Sequence, residues 1–178
     1  MIPTINEYLV AFIDILGFGK RVLSISGNEG LKALHGEIKH IHNVFDKEPA
    51  TSLKENEMAI SRRKVLALSD ALVIATALDS PLSETMGVYD NWCDEVHTIG
   101  INQAICAANG VFLRGGLSKG QFFFEDDILV SEAMAKAYEI ESKIANWPVI
   151  CVDEATYSWF AGHASRHYYS QAQVSELI

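Results

Sequence analysis

Cysteine is scarce in this chain of 178 residues, which has three. Cys93, Cys106 and Cys151 are odd in number, scattered and without a Cys-x-x-Cys pair. That excludes a disulfide framework and a cysteine metal cage, and leaves reduced thiols in a core. Basic charge is also short: 14 Lys and Arg stand against 23 Asp and Glu, a formal net charge of −9. A surface that grips nucleic acid through many phosphates needs a basic stripe. Only the short run Arg62, Arg63, Lys64 approaches one, enough for a triphosphate but not for a polymer. No apolar run reaches the roughly 20 residues of a membrane span, and Glu7 and Asp14 interrupt the first apolar stretch, unlike a signal peptide. The expectation is a cytoplasmic protein that engages neither nucleic acid nor membrane. No repeat or linker divides residues 1–178, so one domain is expected, and 49% apolar with 21% charged residues argues against disorder.

What is present begins with Tyr8–Leu16, YLVAFIDIL, an apolar run rich in β-branched and aromatic residues. It predicts a strand buried on both faces near the centre of a sheet. Gly17 and Gly19 end it, and a helical stretch follows from about Lys20 to Phe45, with an interruption near Gly27–Gly30. Asp46–Ser61 is polar, contains Pro49 and predicts a loop. Lys64–Ala77, KVLALSDALVIATA, holds two short apolar runs around Ser69-Asp70, the pattern of a tight hairpin. Ser80-Pro81-Leu82-Ser83-Glu84 reads as the capped start of a long helix ending near Asn109-Gly110. Val111–Gly120 predicts a strand, Ser131–Ile144 a helix and Val149–Val152 a strand. The order β-α-β-β-α-β-α-β suits a ferredoxin-like α+β sandwich, and its hairpin argues against a parallel doubly wound sheet.

Three elements carry the chemistry. Asp14 lies inside an apolar strand, where a lone carboxylate is costly unless paired, protonated or cation-bound. Asp70 lies at the tip of the hairpin that pairs with that strand, so the two carboxylates converge at one end of the sheet. Together they offer hard oxygens to Mg²⁺ or Mn²⁺, although turn chemistry alone also favours Asp at a hairpin tip. The turn Ile15-Leu16-Gly17-Phe18-Gly19 between strand and helix suits a phosphate cradle, or its glycines only turn the chain and Phe18 only fills the core. Leu113-Arg114-Gly115-Gly116-Leu117 places a glycine pair in a strand, the mark of close backbone approach or a bulge. Arg114 beside it suits a phosphate, a base edge or a structural salt bridge.

In this order the three elements resemble the class III nucleotidyl cyclases. FIDILGFG is similar to that family's first metal-binding strand and phosphate turn, LALSDALVIA to the hairpin with the second metal aspartate. LRGGLSKG resembles its later glycine-containing strand, and AYEIES the end of the helix that follows. The resemblance runs from about Val10 to Val152. It implies that Asp14 and Asp70, with the Ile15 carbonyl, hold two divalent ions, Mn²⁺ or Mg²⁺. It implies nucleotide contacts from Phe12, Gly17, Phe18, Gly19 and Arg114, with weaker candidates in Lys119 and Arg62–Lys64. It also implies a homodimer with substrate bound where two protomers meet. The reaction would close a 3′,5′-cyclic nucleotide with release of pyrophosphate.

Departures from the family pattern bear on the substrate. Leu66 stands where purine cyclases carry a base-reading lysine, and Asp126 and Asp127 lie one or two positions from its aspartate partner. Ala135 and Glu139 align with the transition-state asparagine and arginine. The Arg-Gly-Gly strand and the AYEIES helix resemble the bacterial pyrimidine cyclases of antiphage defence, the Pycsar systems. That implies UTP or CTP as substrate, UTP preferred, and a cyclic product read by a separate effector protein. The alternative is a catalytically degenerate cyclase-like domain that binds a nucleotide and regulates something else, with a different two-metal nucleotidyl transferase a third option. His40 and His42 point apart on their helix, His163 and His167 have i, i+4 spacing without a third ligand, and Trp92, Trp147 and Trp159 read as packing residues. The tail from His167 to Ile178 lacks the final strand that the resemblance leads one to expect.

Overall fold

The apolar run at the start of the chain becomes strand β1 (Asn6–Ile15), with Tyr8 through Ile13 all buried. The computed structural model describes residues 6–46 and 61–164. After β1 come α1 (Phe18–Ser24), α2 (Gly27–Phe45), β2 (Arg63–Leu68), β3 (Ala71–Ala77), α3 (Pro81–Met86) and α4 (Val88–Ala108). The chain continues through β4 (Leu113–Glu125), β5 (Ile128–Ser131), α5 (Glu132–Lys143), β6 (Ile150–Val152) and α6 (Glu154–Ala164).

The sheet runs β2-β3-β1-β4-β5, and β6 joins β4 in parallel. β1 lies antiparallel between β3 and β4, and β2–β3 is the hairpin that the sequence predicts. The expected α+β architecture, a mostly antiparallel sheet flanked by helices, is therefore the one that forms. Side chains alternate along β1. Leu9, Ala11, Ile13 and Ile15 face a core with Ile41 and Phe45 of α2, Trp92 and Ile99 of α4, and Phe160 of α6. Tyr8, Val10 and Phe12 face the other side, with Val73 and Ala75 of β3 and Ala133 and Ala137 of α5. Burial on both faces explains a continuous apolar strand in an antiparallel setting.

The glycine pair is resolved in favour of close approach. The β1–β4 register runs unbroken through Gly115 and Gly116, so there is no bulge. A Cβ on Gly116 would lie 2.1 Å from the Ala137 carbonyl oxygen and 2.8 Å from Ile140 Cβ. On Gly115 it would lie 2.6 Å from the Phe12 carbonyl oxygen. Gly116 thus lets α5 sit directly on the sheet, while Gly115 lets the β1 backbone lie close beside β4.

Several boundaries differ from expectation. The first helical stretch breaks at Ile25-Ser26, just before Gly27, which takes a φ of 75°. The long helix after Ser80 is two helices, because Gly87 has φ 97° and ψ 142°, far from helical values. Ser80 does cap the first of them, accepting a hydrogen bond from the Ser83 N–H. β4 runs past Gly120 and turns at Asp126 and Asp127, whose φ values of 49° and 62° match the left-handed turn of a two-residue hairpin. That turn produces β5, and α6 is a further element the sequence reading did not separate. Residues 47–60 of the predicted loop and the puzzling tail from His167 lie outside the described residues.

Candidate active site

Asp14 is near the end of β1, opposite Ala71 of β3 on one side and Arg114 of β4 on the other. The Ile15 N–H donates to the Asp70 carbonyl at 3.2 Å, and the Leu16 N–H to the Phe112 carbonyl at 2.9 Å. The first ties the strand end to the hairpin tip, and the second ties it to the start of β4. The tip is a two-residue turn, and Ser69 supplies the positive φ, 59°, that such turns require. Asp14, Ile15 and Asp70 are thus brought together.

The electrostatics of this corner are unbalanced. Burial pushes the Asp14 carboxyl above its ordinary range, the Asp70 charge adds to this, and Arg114 opposes it. The Arg114 Nε lies 3.5 Å from Asp14 Oδ2 and 2.5 Å from Glu141 Oε1. Glu141 comes from α5 and is only 3% exposed. Its carboxyl is also pushed up, first by burial and then by the charges of Asp14 and Asp70, against the pull of Arg114. Neither Arg114 Nε nor Glu141 Oε1 has an aligned hydrogen-bond partner, so their contact is chiefly Coulombic. Two carboxylates, Asp14 and Glu141, therefore share one guanidinium, and the nearby Asp70 adds a further negative charge. Among the described residues no three His, Cys, Asp or Glu side chains form a ready-made metal cage. Two carboxylates and a backbone carbonyl are nonetheless a hard-oxygen set with surplus negative charge, and that chemistry fits a small divalent cation.

The remaining predicted residues take distinct places. Gly17 is exposed with φ 78° and starts α1, and Gly19 has open space around it. Phe18 packs against the core shared with α2 and α4. Phe12 lies on the same face of β1 as Asp14, beneath α5, with its ring edge-on to Tyr138 at 5.4 Å. Leu66 packs on this same side, against the cluster containing Phe12 and Val73. Ala135 and Glu139 are exposed on α5, and Asp126 and Asp127 are exposed in the β4–β5 turn.

The weaker basic candidates are engaged elsewhere. Lys119 binds Glu7 at 2.7 Å and sits over the Trp159 ring, well along the sheet from Asp14. Arg62 pairs with Asp79 at 3.0 Å, Arg63 with Glu95 at 2.8 Å, and Lys64 donates to the Phe124 carbonyl at 3.1 Å. His163 Nδ1 lies 2.8 Å from the Trp159 carbonyl oxygen, while His167 lies outside the described residues.

Sequence reasoning missed Glu141. Its signal was spacing: Ala133, Ala137, Ile140 and Glu141 lie on one helical stripe, so the carboxylate shares a face with residues that must be buried.

No family model matches this chain, and no curated protein does. Solved structures do. A bacterial light-regulated adenylyl cyclase superposes with a TM-score of 0.50 at 12% identity, covering 79% of this chain and 71% of that one. The fold is that of the class III nucleotidyl cyclases. The guanylyl cyclase Cya2 is also similar, with a TM-score of 0.49 at 11% identity over 89% of this chain and 80% of that one. In this cyclase fold the corner with Asp14 and Asp70 lies where the central strand meets the hairpin. Among the described residues no helix is long and apolar enough to cross a membrane.

Proposed function

We propose that this chain is a pyrimidine nucleotide cyclase that converts UTP, or CTP, to the 3′,5′-cyclic nucleotide and pyrophosphate. The observation that carries the reading is the convergence of Asp14 and Asp70 at one end of a cyclase-fold sheet, joined through the Ile15–Asp70 backbone bond. The Asp14 and Asp70 carboxylates and the Ile15 carbonyl would hold two divalent ions, Mn²⁺ or Mg²⁺. When bound, such ions activate the ribose 3′-hydroxyl and neutralise charge on the departing pyrophosphate. The 3′-hydroxyl gives up its proton to water as its oxygen bonds to the α-phosphorus, and the bond from that phosphorus to the pyrophosphate oxygen breaks.

The chain's own groups position the substrate. Backbone amides from Gly17 to Gly19 at the start of α1 face the phosphates without side-chain obstruction, since neither glycine has a neighbour within 4 Å of an added Cβ. The Arg114 guanidinium, partly exposed beside Asp14, reaches the nucleotide. Phe12 supports the sugar–base side of the site. Leu66 in place of a base-reading lysine supports a pyrimidine over a purine, and UTP is preferred to CTP.

The exposed Ile128 and Val130 on β5 and Tyr138 on α5 support a homodimer with substrate at the junction. A separate effector protein reads the cyclic product, in a cytoplasmic antiviral response. One observation favours a second reading, a cyclase-fold domain that binds nucleotide without turning it over: the exposed α5 positions Ala135 and Glu139 offer no donor to a developing negative charge.

Incubation with each of the four ribonucleoside triphosphates in Mn²⁺, with products identified by mass spectrometry, decides between them. A cyclic pyrimidine nucleotide that vanishes in Asp14→Ala and Asp70→Ala is the expected result. No cyclic product from a folded protein would leave the binding domain as the better account.

A further inference from the structure

We propose that Glu141 is a positioning residue: it holds the Arg114 guanidinium off Asp14 and so keeps the Asp14–Asp70 pair free to take a divalent cation. The inference rests on the metal-binding reading above and deepens it.

Glu141 is an almost fully buried carboxylate on α5, in a stripe that is otherwise Ala133, Ala137 and Ile140. Burying a charge there is costly unless a counter-charge is close. That counter-charge is Arg114, and the guanidinium is shared unequally: Nε is 2.5 Å from Glu141 Oε1 but 3.5 Å from Asp14 Oδ2. Arg114 projects from the β4 position directly across from Asp14, so without Glu141 its nearest acidic partner would be Asp14 itself.

The charge count then decides what a cation meets. With Glu141 ionised, Arg114 is offset chiefly from the α5 side and only loosely paired with Asp14, and the four groups together carry two net negative charges. With Glu141 neutral in charge, Arg114 collapses onto Asp14, leaves one net negative charge and crowds the cation site with a competing positive group. Gly116 makes the arrangement possible, because only a residue without Cβ lets Ala137 and Ile140, and hence Glu141, come this close to β4. A purely structural salt bridge pinning α5 to β4 would look the same in a static picture but would behave differently on double substitution.

The test uses the full chain and Mn²⁺ alone, with free Mn²⁺ read by electron paramagnetic resonance at mildly alkaline pH, so no turnover is involved. Glu141→Gln is nearly isosteric and is expected to weaken Mn²⁺ binding by about ten- to a hundredfold, the range for residues that orient a metal's ligands. Adding Arg114→Gln removes the competing cation and restores the two available charges, so the double variant is expected to bind close to wild type. Glu141→Asp keeps the charge but withdraws it by one methylene, and should fall between; it carries the test if Glu141→Gln does not fold.

Unchanged Mn²⁺ affinity in Glu141→Gln or Glu141→Asp, or a double variant as weak as the single, would overturn the proposal and leave Glu141 a structural residue. A wild-type protein that binds no Mn²⁺, or binds it equally after Asp14→Ala, overturns the metal reading itself. The two failures are thereby told apart.

Discussion

Replacing Gly116 with alanine isolates the contact that brings α5 onto the sheet. The new Cβ would lie 2.1 Å from the Ala137 carbonyl oxygen, 2.9 Å from its carbon and 2.8 Å from Ile140 Cβ. Carbon atoms pack comfortably at about 3.5–4.0 Å, so α5 must retreat by on the order of 1 Å. The obstacle is largely helix backbone, which has no rotamer to change. Overpacking of this kind costs about 1–3 kcal/mol where side chains can adjust, and the rigid partner places this case at about 3 kcal/mol or somewhat more.

For a chain of this size that corresponds to a fall in Tm of about 6–12 °C. Urea unfolding and calorimetry measure it directly. The displacement also draws Glu141 from Arg114, so Mn²⁺ affinity should fall with stability. Gly36→Ala is the control, because Gly36 lies within α2 with nothing within 4 Å of an added Cβ. It should stabilise by about 0.5–1 kcal/mol through helix propensity alone. A Gly116→Ala protein within about 1 kcal/mol of wild type would refute the packing argument, since that is below what an overpacked core site costs.

Arg63→Met strands Glu95, which is 5% exposed and bound by Arg63 at 2.8 and 3.0 Å and by the Thr76 hydroxyl at 2.9 Å. A loss of about 3–5 kcal/mol in urea unfolding is expected for a buried charge left unpaired, and a loss below 1 kcal/mol would contradict it. Burial alone would raise the Asp153 carboxyl, but the Thr156 hydroxyl at 2.6 Å and N–H at 2.9 Å, with smaller help from Ser118 and the Lys136 charge, together hold it below its ordinary range. A folded-state value below the unfolded one means stability that is present above the ordinary carboxylate range and lost as pH falls through the folded value. Thr156→Val should therefore flatten the acid limb of a Tm–pH profile, and an unchanged limb would exclude this contribution. Mn²⁺ should raise the Tm of wild type but not of Asp14→Ala or Asp70→Ala, since only a native-state ligand stabilises by mass action. Equal shifts in all three would place the ion elsewhere.

Much of this site is legible in the linear chain because it rests on short-range rules. An apolar run interrupted by Asp14, a hairpin with Asp70 at its turn, and a strand-helix order that inserts β1 between β3 and β4 together bring those residues to one sheet end. Other features are not legible, for identifiable reasons. The break at Gly87 depends on a backbone conformation that a capped helix start at Ser80 does not announce. The run Ile128–Val130 reads as strand only once the Asp126–Asp127 turn folds it onto β4. For Arg114 the sequence leaves a phosphate, a base edge and a salt bridge all open, and the fold shows the ion pairs to Glu141 and Asp14.

By itself, then, the sequence determines the α+β class, the central buried strand and the placing of Asp14 and Asp70 at one end of the sheet, since each follows from periodicity, turn chemistry and strand order. The stripe of Ala133, Ala137 and Ile140 signals the buried face of Glu141, but only the tertiary structure decides how closely that face meets the sheet and that Arg114 lies between Glu141 and Asp14. A helix carries acidic residues on any face at little local cost, so how closely a face is covered is set by packing. Here the absence of a side chain at Gly116, on another element, sets that closeness.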